Sequence, residues 1–259
     1  MIRACALLFL FATVTYADDA PKQPTPAEQL KLLTKQHEDI EATFMKELRA
    51  DRTNEGVRKA NEKYREARQA WRKEALAALD KSGALPEAFD VIAAVLSGSS
   101  VETVEMGELL RKHHLARPEL GKVFLGMVQD SRDHGRKFVE EMSEKSPVPA
   151  VRGQAALALG WQAKWRITQD GDESLGFGKK LTDEQRKDME ARAEKFLTTA
   201  MKYMDAPVVG GTGTVAAHAK AELAGLKNVS SLQVGKVAPD IAGEAIDGTK
   251  FKLSARAGR

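Results

Sequence analysis

The sequence predicts a mainly α protein, with a helical hairpin over residues 27–80, helical-repeat-like pairs over 85–228 and a β-hairpin near the C-terminal end. Three observations carry this. Aromatic residues make up 6% of the 259 residues while hydrophobic ones make up 42%, so the interior is built from Leu, Ala, Val and Met, the material of packed helices rather than of a β sandwich. Apolar residues recur at steps of three and four through most of the chain. From Ala27 to about Lys227, by contrast, nothing reads as a strand.

Taken in order, the first element is an export signal. Arg3 is followed by an apolar run from Ala4 to about Val14, then by small residues at Thr15 and Ala17 before Asp18. This is the layout of a secretory signal peptide, residues 1–17, cleaved after Ala17, which implies a secreted or periplasmic protein. The run is shorter than the roughly 20 residues of a spanning helix, so no integral membrane segment is expected after cleavage; an uncleaved anchor is the alternative. Cys5 lies inside the signal and is the sole cysteine. The mature chain therefore has no thiol with which to form, attack or reduce a disulfide.

Residues 18–26 read as a flexible Pro-rich leader. Thr25, Pro26 and Glu28 form a capping box with proline in the first helical turn. Leu30, Leu33, Ile40, Phe44 and Leu48 then mark one helical stripe, with His37 inside it. Val57, Ala60, Tyr64, Ala67, Trp71, Ala75 and Ala78 mark a second. The pattern weakens around Asn54 and Gly56, which predicts an antiparallel hairpin, with one long helix as the alternative.

Shorter helices follow. Pro86 opens one carrying Phe89, Ile92 and Leu96 on a single face, another stops before Pro118, and a third restarts there with Leu120, Val123, Phe124 and Met127. A further helix covers 135–145 and ends at Pro147. Pro149, Val151, Arg152, Ala155, Ala156, Leu157 and Leu159 resemble the second half of a HEAT-type repeat, whose small residues let helices approach closely. Thr182 and Gln185 form a second capping box ahead of Met189, Ala193, Phe196, Leu197, Ala200 and Met204. That helix and the Ala-rich one after Gly213 look like a tetratricopeptide-style pair.

Chemistry-bearing patterns are sparse, and no catalytic, cofactor-binding or metal-binding residue is assigned. Forty basic and 37 acidic residues leave a formal charge of +3, spread without a basic block, so nothing points to nucleic acid or an anionic membrane. His113 and His114 are adjacent and face different ways on a helix, and His37 lacks the second histidine of a zinc-protease helix. Gly210, Gly211 and Gly213 precede a helix but lack the lysine of a phosphate loop, so a turn capped by Thr212 or Thr214 is expected. Glu140 and Glu144 read as a solvated face, Trp161 and Trp165 as core. Asn228 to Ser230 matches a glycosylation acceptor.

At the C-terminal end, Asp247 and Gly248 suit a two-residue type I′ turn. Pairing outward puts Glu244 opposite Phe251 and Ala242 opposite Leu253, with Ala242, Ile246, Phe251 and Leu253 on one face and Lys250 and Lys252 on the other. Together with Gly235, Ala238, Pro239, Asp240, Ser254 and Gly258, these residues make 232–259 resemble the opening of a thioredoxin-like redoxin domain, of the thiol-specific antioxidant, alkyl hydroperoxide reductase or periplasmic thiol:disulfide reductase type. Ile241 and the stretch from Ser254 to Arg259 depart from the family pattern. The resemblance implies a thiol–disulfide or peroxide-reducing oxidoreductase as parent, cut short before its active-site cysteines and inactive as this fragment. The rival expectation is a non-enzymatic helical module that binds a protein partner.

Overall fold

The computed structural model describes residues 23–97, 103–129, 133–171, 180–231, 242–244 and 249–252. The expected signal peptide, the leader up to residue 22 and most of the redoxin-like stretch lie outside them. Among the described residues the protein is mainly helical. In chain order the elements are α1 (Pro26–Ala50), α2 (Asn54–Ser82), α3 (Ala88–Leu96) and α4 (Thr103–His113). A 3₁₀ segment (Pro118–Val123) runs into α5 (Phe124–Val128), and α6 (His134–Lys145), α7 (Pro149–Thr168), α8 (Asp183–Ala200) and α9 (Val215–Ser231) follow. Two short strands, β1 (Ala242–Glu244) and β2 (Lys250–Lys252), complete the set.

α1 begins at Pro26, so that residue belongs to the helix and not to the leader. Thr25 Oγ1 accepts the Glu28 N–H at 3.3 Å while Glu28 Oε2 accepts the Thr25 N–H at 2.7 Å, the expected reciprocal cap. α1 and α2 are two antiparallel helices. Trp71 Nε1 donates to the Leu33 carbonyl at 2.8 Å, and Lys63 Nζ reaches Glu47 Oε1 at 2.8 Å, so partner numbers run in opposite directions. The break lies at 51–53 rather than at Asn54 and Gly56. Asp51 Oδ1 accepts from the Thr53 N–H and hydroxyl, and Thr53 Oγ1 caps the Gly56 N–H at 3.1 Å. Gly56 is instead a packing residue in the first turn of α2, where a Cβ would come within 2.2 Å of Asp51 Cγ. Away from α3, α1 and α2 pack chiefly on each other among the described residues. Ile40, Phe44, Leu48 and Tyr64 are half-buried there, and Ala67, expected in the stripe, is exposed.

α3 lies at the centre. Ala88, Phe89, Val91, Ile92, Val95 and Leu96 are all buried, so this helix is apolar nearly all round, the signature of an element with neighbours on every side. It shares one continuous apolar cluster with Leu30 and Leu33 of α1, Trp71, Ala75 and Leu79 of α2, Leu110 of α4, Phe124 of α5 and Phe138 of α6. The segment after Pro118 departs from the expected helix. It tightens to 3₁₀ before α5, whose Gly126 rests on the carbonyl end of α3, where a Cβ would come within 2.2 Å of the Leu96 oxygen.

α7 organises the second half. Proline at its N-terminal turn starts it as expected, and its Gly and Ala positions admit α8 and the chain beyond it. A Cβ at Gly160 would sit 2.7 Å from Leu197 Cγ, and one at Gly153 2.7 Å from Tyr203 Cβ. Ala156, Leu197, Ala200, Val215 and Ala219 fill the junction of α7, α8 and α9. Thr182 and Gln185 cap α8 reciprocally, as the sequence predicts.

β1 and β2 pair antiparallel, but one residue out of the expected register: Glu244 faces Lys250, Gly243 faces Phe251 and Ala242 faces Lys252. Opposite charges placed directly across the strands stabilise this pairing. A slip of one residue exchanges the faces, so Ala242 shares its face with Lys250 and Lys252. The expected pairs at Ile246 and Leu253, and the Asp247–Gly248 turn, lie outside the described residues.

Candidate functional site

A groove of about 890 Å³ lies between the C-terminal part of α2 and α4. Its apolar floor comes from Leu76 and Leu79 of α2 and Met106 and Leu109 of α4. The same helical spacing that drives Leu110 fully into the core leaves Leu109 half-buried one position earlier, and Val104, on the lip, is 42% exposed. Gly83, just past α2, lets α4 approach, because a Cβ there would meet Leu109 Cδ2 at 2.8 Å. The rim is charged, with Glu105 near the start of α4 and Lys112 near its end. Arg111 closes one side: it bonds Glu108 at 2.6 Å and Glu141 of α6 at 3.1 Å, with its guanidinium 5.1 Å above the Phe138 ring.

A second arrangement joins titratable groups across α1, α2 and α3. Glu41 Oε1 accepts the Tyr64 hydroxyl at 2.5 Å and Arg68 Nη1 at 3.0 Å. Arg68 Nη2 donates onward to the Ala94 carbonyl at 2.9 Å and to Ser97 Oγ at 3.1 Å. His37 Nε2 lies 3.4 Å from the same Glu41 oxygen, and its ring packs 4.7 Å from that of Trp71. Burial, with Arg68 assisting against Glu41 and Glu38, lowers the His37 pKa below its ordinary value. Burial and the bond to Glu41 raise that of Tyr64, against the pull of Arg68. At neutral pH the histidine is thus neutral and the phenol protonated. Glu41, Tyr64 and Arg68 satisfy one another, and what the cluster does chemically is clamp three helices.

The residues singled out in the sequence fall in separate places. His114 is buried at 2% exposure, and its Nε2–H donates to the Gly83 carbonyl at 2.9 Å. His218 Nε2 bonds the Thr212 carbonyl at 2.7 Å, and the His113 ring lies edge-on to that of His114 with centroids 6.2 Å apart. Among the described residues no group of three or more His, Cys, Asp or Glu side chains could hold a metal ion. The glycine loop before α9 folds back on itself: the Val208 N–H reaches the Gly213 carbonyl, Gly210 and Gly213 take positive φ, and Thr214 Oγ1 caps the Ala217 N–H at 3.3 Å. Asn228 lies within α9.

Two expectations are corrected. Glu140 is half-buried rather than part of a solvated face, because Arg136 at 2.5 Å and Arg192 of α8 at 3.4 Å both reach it. Trp161 and Trp165 are half-buried rather than core; they stack on each other with centroids 6.0 Å apart and planes 10° apart. α7 turns its Ala and Gly positions to its neighbours, which leaves the indoles at the margin. Glu41 and Arg68 escaped the sequence reading, although Tyr64, with its polar tip inside an apolar stripe, was the available signal. No helix among the described residues is long and apolar enough to cross a membrane. Comparison with protein-family models, with curated proteins and with solved structures finds no match.

Proposed function

We propose that the helical body is a non-enzymatic interaction module that holds an amphipathic helix of a partner protein in the α2/α4 groove. One observation carries the reading, an open cleft of about 890 Å³ with a floor of Leu76, Leu79, Met106 and Leu109. Helix-in-groove recognition needs such a floor to take apolar anchors at i, i+3, i+4 and i+7. The charges along α4, acidic at Glu105 and basic at Lys112, complement a helix of ordinary polarity, acidic at its start and basic at its end, when it runs antiparallel to α4. The helix pairs α6/α7 and α8/α9 read as repeat-like units, an architecture that serves to present extended binding surfaces.

Selection of amphipathic helices from a displayed peptide library against the mature chain tests this. Recovered peptides are expected to slow amide exchange in α2 and α4 and to lose about tenfold in affinity, roughly 1.4 kcal/mol, against Val104→Glu. Peptides that bind Val104→Glu equally well, or that protect other helices, overturn it.

A second reading is favoured by the tail. The residue pattern of 232–259 supports the opening of a redoxin domain, exported behind residues 1–17, in a parent that exchanges electrons between thiols and disulfides or peroxides. Insulin reduction by this chain should run at background, and the parent reading frame should carry Cys-x-x-Cys, or a single peroxidatic cysteine, beyond Arg259. A frame with no cysteine there removes this reading.

A further inference from the structure

We infer, resting on the groove reading above, that in the uncleaved chain residues 4–14 lie as a helix in the α2/α4 groove and close it to a partner until cleavage after Ala17. Leu7, Leu10, Phe11 and Val14 fall at i, i+3, i+4 and i+7. That is the spacing of anchors which a floor of Leu76, Leu79, Met106 and Leu109 takes. Cys5, Phe9 and Ala12 then turn away from the floor. Lengths agree as well. Leu7 to Val14 makes about 10 Å of helix, and the α4 lining from Val104 to Lys112 makes about 12 Å.

Connectivity sets the direction. Trp71 Nε1 bonds the Leu33 carbonyl and Lys31 Nζ lies 3.6 Å from Glu87, so the first turns of α1 stand beside the end of α2. His114, one residue past α4, bonds the Gly83 carbonyl at that same end. Chain traced back from Pro26 therefore meets the Lys112 end of the groove first and Glu105 last. The eleven residues 15–25 reach up to about 36 Å, enough for the turn this path requires. Charge agrees with it: Arg3 precedes the apolar run, while Asp18 and Asp19 follow it. A helix parallel to α4 sets Arg3 towards Glu105 and the two aspartates towards Lys112, whereas the reverse direction sets like charges together at both ends. Of the other lining charges, Glu108 and Arg111 hold each other at 2.6 Å, and Asp80 stands on the α2 wall. While tethered, the run competes at an effective concentration of roughly millimolar, an advantage that cleavage removes.

Cys5, the sole cysteine, takes a probe without any substitution. A nitroxide attached to it in chain 1–259, made by cell-free synthesis, should broaden the amide signals of Val104 and Met106 more than that of Lys112. Leu10→Asp, which alters no residue of the helical body, should abolish the broadening. A peptide selected on the chain that starts at Asp18 should bind chain 1–259 about tenfold more weakly. Uniform broadening, broadening strongest at Lys112, or broadening that survives Leu10→Asp overturns the inference, as does a full chain that aggregates where the chain from Asp18 stays in solution. Equal peptide binding by the two chains overturns it too, yet leaves the groove reading standing. Failure to select any groove peptide counts against that reading, and the nitroxide alone then decides for the leader.

Discussion

At the residue scale, His114 shows how little a histidine in a helical sequence reveals about its task. Its ring is buried near Phe89, with Nε2–H bonded to the Gly83 carbonyl. Burial is the main cause that lowers its pKa, helped by Arg117 and His113 and opposed by the bond to Gly83. His37 is lowered too, chiefly by burial. Both rings bind a proton more readily in the unfolded chain than in the folded one. Stability is therefore complete above the unfolded value, about pH 6.5, and declines as pH falls below it, by about 1.4 kcal/mol for each unit of depression once both values are passed. Urea midpoints between about pH 7.5 and 5.5 should fall for the parent chain and fall less for the His37→Gln/His114→Gln variant. A variant with the same slope as the parent refutes the assignment.

At the scale of elements, starts and stops were legible because caps act within four residues of the chain. Thr25 with Glu28 and Thr182 with Gln185 make both reciprocal bonds. Thr182→Ala should cost about 1 kcal/mol in chemical denaturation and Thr182→Gly only a few tenths, since glycine is itself tolerated at this position. Equal losses from the two would point to a packing role for the methyl group instead. The turn between α1 and α2 was less legible. Asn54 and Gly56 are the weak helix formers of this stretch, but Asp51 and Thr53 make the bonds that end one helix and begin the next. The strand pairing slipped by one for a related reason: the turn signal competes with the cross-strand match of Glu244 and Lys250, and period two makes a single step decisive.

At the scale of the whole molecule, Arg68 ties the hairpin to α3, with donors to Glu41, Ala94 and Ser97 from a side chain 13% exposed. Arg68→Ala should destabilise by about 1–2 kcal/mol, chiefly because the Ala94 carbonyl and Ser97 lose their donor, while Glu41, 40% exposed, is partly taken over by water. Arg68→Lys should recover only part of this, since one ammonium cannot reproduce the fork of the guanidinium. Full recovery by lysine in thermal denaturation would show that charge alone is at work. The sequence by itself determined the helical class, the two capping boxes, the proline that opens α7 and the absence of a thiol outside Cys5, because each depends on composition or on residues within one turn of each other. Only the tertiary structure decided that Glu41 meets Arg68, that Leu76 and Leu109 face one open groove, that the tryptophan pair stays half-exposed and that Gln154 Oε1 has Gly121 for its neighbour. Those facts join residues up to tens of positions apart, and their proximity depends on how helices pack, which no local pattern encodes.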